Sequence, residues 1–268
     1  AAGSAAKLNI TAYNSAYSHR VTWRFGTYSN VQTIAAGGTS ASYTISLNWL
    51  KAIPNAASGT ASATLETLDA GGNVLGTSSY NFTVTAPASV TPNLESVTVA
   101  PVNSNSVLAG WNAYAYGKSQ AKITINGAGG AYGSTIKSYS IITDPSVGSA
   151  NASSLTTGTL YKTGTVAITA KVTDSRGRTA TKSATFSVSA YAAPVISGVI
   201  LYRCKSDGTR DDVAGTCAYV KADFSCSTIG SNKVTTQAVL SQIGGSYTTS
   251  TMLTSGSGVI LGGGNLAV

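Results

Sequence analysis

A strand–turn–strand unit occurs twice in this chain, and each copy is followed by a proline that opens a new strand. The first copy is the alternating run Ala63-Thr-Leu-Glu-Thr-Leu68, the turn Asp69-Ala-Gly-Gly-Asn73 and a strand ending Phe82-Thr-Val84, with Pro92 beyond. The second is Val166-Ala-Ile-Thr-Ala-Lys-Val172, the turn Asp174-Ser-Arg-Gly-Arg178 and a strand ending Phe186-Ser-Val188, with Pro194 beyond. The copies are 104 residues apart from Val84 to Val188, and the prolines 102 apart. One β-sandwich domain takes roughly 100 residues. The repeat therefore predicts an all-β chain of tandem immunoglobulin-like β-sandwich modules, at 1–90, 91–192 and 193–268. The third holds only 75 residues from Pro194 and shows no closing hairpin, so it is expected to be incomplete. Either the chain stops short of its natural end or a neighbouring chain donates the missing strands.

Strand signals dominate throughout, as short alternating runs bounded by Gly, Asn, Asp and Ser. In Ser18-His-Arg-Val-Thr-Trp-Arg-Phe25, Val21, Trp23 and Phe25 share one face, and Arg20, Thr22 and Arg24 the other. Asn48 to Ile53, stopped by Pro54, predicts one helical turn. Thr85-Ala-Pro-Ala-Ser-Val-Thr-Pro92 reads as a short, stiff linker, because proline fixes φ and restrains the residue before it. Tyr191-Ala-Ala-Pro194 repeats it, and stiff linkers favour a rod over a flexible string. In the third module strands are expected at Val195 to Cys204, Cys217 to Cys226 and Lys233 to Leu240, before a Gly/Ser-rich end.

Charged residues make up 10% of the chain, against roughly 25% in an average globular protein. Depletion of charge marks surface that becomes buried against partners, and it removes the charged blunting of strand edges. This favours a part of a large assembly; a secreted, glycan-facing protein would share the same composition. The net charge of +8 comes from scattered lysines and arginines with few acids, and no basic run argues for nucleic acid. No apolar run reaches the ~18 residues a membrane span needs, so no membrane partner is expected. Ala1 to Lys7 carries neither a signal-peptide pattern nor an initiator Met, so the numbering is expected to start inside a longer product or after processing.

Chemistry is sparse. The one histidine, His19, shares the parity of Val21 and Trp23 and reads as a rim residue of the core rather than a catalytic or metal ligand. No serine sits in a Gly-x-Ser-x-Gly elbow, and Glu66, Glu95 and the seven aspartates suggest no hydrolase pair. The acidic loop Asp207-Gly-Thr-Arg-Asp-Asp212 offers calcium some oxygens, but it lacks the EF-hand spacing and holds Arg210, so a solvated hairpin loop is expected. Cys204, Cys217 and Cys226 fit no zinc pattern, and their odd number argues against a disulfide framework. Free thiols are expected, although Cys204 and Cys217 end a probable hairpin loop and could face each other. No catalytic residue, metal or cofactor is therefore predicted. The candidate ligand or interface residues are aromatic: Trp111, Tyr114 and Tyr116 in Trp111-Asn-Ala-Tyr-Ala-Tyr-Gly117, where amphipathic rings suit sugar stacking or a protein interface.

Several segments resemble tail proteins of long-tailed bacteriophages. They are Ser18 to Gly26, Trp49-Leu-Lys-Ala-Ile-Pro-Asn55 with Ser58-Gly59 and Glu66-Thr67, Gly133-Ser-Thr-Ile-Lys-Ser-Tyr139, Val172 to Arg178 and Tyr202-Arg-Cys-Lys-Ser-Asp-Gly208. The nearest group is a siphovirus tail family of uncharacterised function built from immunoglobulin- or fibronectin-like modules. The resemblance implies a virion component of the tail tip, fibre or baseplate, assembled in the bacterial cytoplasm. Its partners would be other tail proteins, further copies of itself and a host cell-surface glycan. It brings no catalytic motif. The rival readings are a carbohydrate-binding adhesin, a module of a cell-wall hydrolase and a bacterial surface protein of the same fold.

Overall fold

Alternation turns directly into burial in the strand Ser18–Phe25, where His19, Val21, Trp23 and Phe25 are buried while Arg20 and Arg24 face solvent. The computed structural model describes residues 1–103, 109–230, 233–241, 245–246 and 249–262. They form two compact units: Ala1–Ala100 with Ala121–Gly158 and Val166–Phe186, and Pro101–Gln120 with Thr159–Thr165 and Ser187–Val268.

The first unit opens with β1 (Ala5–Asn9), β2 (Ser18–Phe25), β3 (Tyr28–Ile34), β4 (Ser40–Thr44), β5 (Ser58–Leu68) and β6 (Val74–Thr85). β1 and β4 pair antiparallel, and the other four form an antiparallel sheet in the order β3-β2-β5-β6. Between the sheets lie Val21, Trp23, Phe25, Ala41, Ile45, Trp49, Leu50, Ala61, Ala63 and Val84. Trp23 stacks on Tyr43 at 6.3 Å, meets Phe82 edge-on at 5.9 Å, and donates its indole N–H to Gln32 at 2.8 Å. Burying a tryptophan on these terms satisfies both its apolar body and its polar edge. The expected helical turn is a 3-10 helix, Leu47–Ala52, whose Asn48 N–H bonds to the Ser46 hydroxyl at the N-cap. It buries Trp49 and Leu50.

The linker does not lie free. Ala86 and Val90 are buried in the same core, and the Ala86 N–H bonds to Ala57 O at 2.8 Å. Beyond it come β7 (Ser96–Val102), β8 (Tyr114–Ala115), β9 (Gln120–Asn126), β10 (Ile136–Asp144), β11 (Ser149–Ala150), β12 (Ser154–Thr156), β13 (Gly164–Asp174) and β14 (Thr179–Ser189). One sheet runs β12-β9-β7, and a second runs β11-β10-β13-β14. β13 is the clearest alternation in the chain, burying Val166, Ile168, Ala170 and Val172.

In the second unit the end of β14 pairs parallel with β8, Val188 opposite Tyr114. β15 (Val195–Cys204), β16 (Cys217–Ser225), β17 (Thr236–Leu240), β18 (Thr249–Leu253) and β19 (Gly258–Leu261) follow. The sheet β15-β16-β19 and the pair β17-β18 enclose a small core of Ala222, Ala238, Leu253 and Leu261. The Gly/Ser-rich end, partly outside the described residues, thus carries two strands that its composition hid. β15 leaves Val195, Ile196, Val199, Ile200 and Leu201 exposed, with Leu201 at 68%.

Candidate functional site: the junction carried by the second hairpin turn

The two repeated turns share one backbone. In each, the aspartate N–H donates to the carbonyl four residues on, Asp69 to Asn73 O at 3.0 Å and Asp174 to Arg178 O at 2.8 Å. In each, Oδ1 of the aspartate accepts the N–H groups two and four residues later: Gly71 and Asn73, or Arg176 and Arg178. The glycine of each sits at positive φ, 82° at Gly72 and 80° at Gly177, where an L side chain is strained. What differs is the cargo. Where the first turn has Ala70, Gly71 and Asn73, the second has Ser175, Arg176 and Arg178.

Arg176 is 7% exposed. Its Nε donates to Ile53 O at 3.1 Å, Nη1 to Ala131 O at 2.6 Å, and Nη2 to Leu50 O at 2.8 Å and Tyr132 O at 2.6 Å. Leu50 lies in the last turn of the 3-10 helix and Ile53 caps it; Leu50 O already accepts the Ile53 N–H at 3.0 Å and Ile53 O the Ala56 N–H at 3.4 Å, so the guanidinium takes up the second lone pair of each carbonyl. A cation there also suits the negative end of the helix dipole. One guanidinium thus ties the helix end of the first 90 residues to the Ala131–Tyr132 turn of the following segment. Burial pulls its pKa down, and the nearby Asp174 carboxylate opposes that shift.

The neighbours extend the seam. Ser175 Oγ donates to Pro54 O at 2.6 Å and accepts Thr135 N–H at 3.1 Å, and Arg178 Nη2 donates to Ala86 O at 2.9 Å. Fully buried Asp174 also accepts the Ser134 hydroxyl through Oδ2 at 2.9 Å. Gly133, at φ 86°, brings its backbone so close that a Cβ would lie 3.3 Å from Lys51 Cα. Ala131 packs onto the first core. The arrangement fixes two segments against each other through backbone acceptors.

The aromatic candidates lie in the second unit. Trp111 is half-buried beside Gly230, where a Cβ would come within 2.6 Å of the Trp111 Cβ. Tyr114 is half-buried on β8, and burial raises its phenol pKa. Tyr116 is exposed and meets the ring of Tyr161, itself 66% exposed, edge-on at 5.8 Å. The exposed pair is therefore Tyr116 with Tyr161, a partner 45 residues away in sequence.

His19 is buried, with Nδ1 3.2 Å from the Thr67 hydroxyl. In the acidic loop, Asp207 accepts Thr209 N–H, Asp211 accepts Val213 and Ala214 N–H, and Asp212 pairs with Arg210 at 2.9 Å. These bonds hold the Asp207 and Asp211 carboxyls below their usual pKa. Among the described residues, no three His, Cys, Asp or Glu side chains lie together as a metal site.

A family described as "Siphovirus protein of unknown function (DUF859)" matches residues 1–213, so most of the chain is covered. The chain belongs to this family of siphovirus proteins. No curated protein matches it. Similar solved structures include the fibronectin(III)-like modules of Clostridium thermocellum CbhA, at 16% identity and TM-score 0.28, covering 70% of this chain and 87% of that one. A 1.5-MDa bacterial ice-binding adhesin is similar at 11% identity and TM-score 0.38, covering 97% and 80%. A Ca2+-stabilised ice-binding adhesin of an Antarctic bacterium follows at 15% and 0.34, covering 96% and 59%.

Proposed function

We propose that this chain is a non-enzymatic structural component of a siphovirus tail, at the tip, fibre or baseplate, where it serves as spacer and scaffold and contributes to host attachment. The observation that carries this reading is the Arg176 seam: a buried cation spent wholly on backbone carbonyls 44 to 126 residues away is a device for fixing geometry. Family membership supports a phage structural protein. The partners under this reading are other tail proteins and further copies of the chain, with assembly in the bacterial cytoplasm. Two strand surfaces suit such contacts. β6, at a sheet edge, is exposed from Val74 to Asn81 and carries no charge or proline, and β15 exposes its apolar residues.

The test is the virion itself. Mass spectrometry of purified particles should find the chain, and antibody labelling seen by electron microscopy should fall on the tail; absence from particles overturns the reading. A second reading, a carbohydrate-binding adhesin, is favoured by the exposed Tyr116 and Tyr161 rings, which could stack on host-wall glycan. Binding to wall glycan that Tyr116→Ala and Tyr161→Ala abolish would support it. Binding unchanged by both would refute it.

A further inference from the structure

β15 and β16 pair antiparallel in a register that sets Cys204 directly opposite Cys217. Directly opposed residues of an antiparallel pair have Cα atoms about 4.5–5.5 Å apart, inside the about 4.4–6.8 Å that a disulfide spans. The next opposed pair on the same face, Tyr202 and Tyr219, stacks at 4.6 Å between ring centroids and 13° between planes, so the ladder here brings facing side chains into contact. Both cysteines are buried and free, at 0% and 1% exposure. The loop joining them is folded tightly back. Asp211 N–H bonds to Arg203 O at 3.0 Å, Gly215 N–H to Asp211 O at 3.1 Å, and a Cβ on Gly215 would lie 2.6 Å from Cys204 O. The ends of Lys205–Thr216 are therefore held together before any bond forms. Cys226 lies one residue past the end of β16, outside this register.

We propose that Cys204 and Cys217 are a built cross-strand pair that closes to a disulfide when the folded chain meets a low-molecular-weight disulfide oxidant, such as oxidised glutathione. In the first step a local opening of the hairpin exposes a thiolate of the pair, which attacks one sulfur of the oxidant, forming a mixed disulfide and expelling one reduced thiol. In the second, the other thiolate attacks the protein sulfur of that mixed disulfide, forming the Sγ–Sγ bond and expelling the second thiol. The two cysteine protons pass to the departing thiolates, the pair is oxidised by two electrons, and the oxidant is reduced. Cys217 Sγ now points to Gly262 O at 3.4 Å, a contact it would give up to bond to Cys204. In a reducing cytoplasm the pair stays open. Outside the cell the bond would lock the hairpin that carries the loop. The link does not depend on where in a virion the chain sits, and its test uses the isolated chain.

Lys205, Arg210 and Lys221 separate the three cysteines into different tryptic peptides, so pairing can be read directly. The full chain, purified reduced, is incubated natively with oxidised glutathione, alkylated, digested and analysed by mass spectrometry. The expected product joins the Cys204 peptide to the Asp211–Lys221 peptide, leaves Cys226 alkylated, and lowers the denatured thiol count from three to one. Oxidation should raise the unfolding midpoint of this region by on the order of 10 °C. Cys226→Ser should keep the cross-link, and Cys217→Ser should abolish both cross-link and shift. Three alkylated thiols after native oxidation, stable glutathione adducts in place of the link, or a bond that includes Cys226 would each overturn the proposal.

Discussion

The turns Asp69–Asn73 and Asp174–Arg178 have the same hydrogen bonds and the same left-handed glycine, yet one is exposed in solvent and the other is buried in a seam. Local sequence determines the turn; what the turn does is decided by three positions that leave its hydrogen bonds unchanged, Ala70, Gly71 and Asn73 in the first against Ser175, Arg176 and Arg178 in the second. Gly71 and Asn73 leave the first turn self-sufficient, with the Asn73 amide returning to Asp69 Oδ2 at 3.0 Å. Arg176 and Arg178 turn the second outward and give its donors to distant carbonyls. A hairpin can thus be repeated without repeating its interface.

The largest effect should come from Arg176→Ala, which strips donors from Leu50, Ile53, Ala131 and Tyr132 carbonyls and should cost about 3 kcal/mol in denaturant unfolding. Arg176→Lys keeps the charge without the planar fork and should recover less than half of that. If alanine is tolerated within ~0.5 kcal/mol, as at ordinary surface sites, the seam is decorative and the contrast between the turns collapses. Next, Asp174→Ala should cost about 2 kcal/mol, because it leaves two turn N–H groups without their acceptor in a buried place, while the Ser134 hydroxyl falls back on Ala131 O. Asp69→Ala at the solvent-exposed turn should cost clearly less in the same assay.

Gly72→Ala and Gly177→Ala test the shared backbone instead. Neither glycine has an atom within 4 Å of a built Cβ, so only the positive φ opposes substitution, and the two should lose similar amounts, about 1 kcal/mol each. Unequal losses would show that the turns differ in strain as well as in use. The smallest effect is on pH. The Asn73 amide, with help from turn N–H groups, holds the Asp69 carboxyl below the usual aspartate range. A group depressed in the folded state contributes stability that is complete above the unfolded value of about 3.9 and is lost as pH falls through its folded value. Melting curves from pH 5 to 2 should therefore show a shallower acid decline in Asp69→Asn than in the parent chain.

The hairpins were legible because their signals are local: an Asp, a left-handed Gly and apolar alternation fix β5, β6, β13 and β14 almost to the residue. Trp23 and its neighbours were legible by parity for the same reason. β18 and β19 were not, since Gly and Ser dilute strand propensity and only Leu253, Val259 and Leu261 betray a buried face. The junction escaped because its acceptors are main-chain carbonyls, which every residue has and no side-chain motif announces. Its trace in the sequence is the replacement of Ala70, Gly71 and Asn73 by Ser175, Arg176 and Arg178 at matching places in the repeat.

The buried linker has a mechanical consequence. Ala86 and Val90 are core residues, and Arg178 grips the Ala86 carbonyl. Tension along the chain between Thr85 and Asn93 would find no slack to take up. Lengthening it means pulling two side chains out of an apolar interior and breaking a charged contact in the same step. Such a segment yields abruptly, above a threshold force, instead of stretching like a spring.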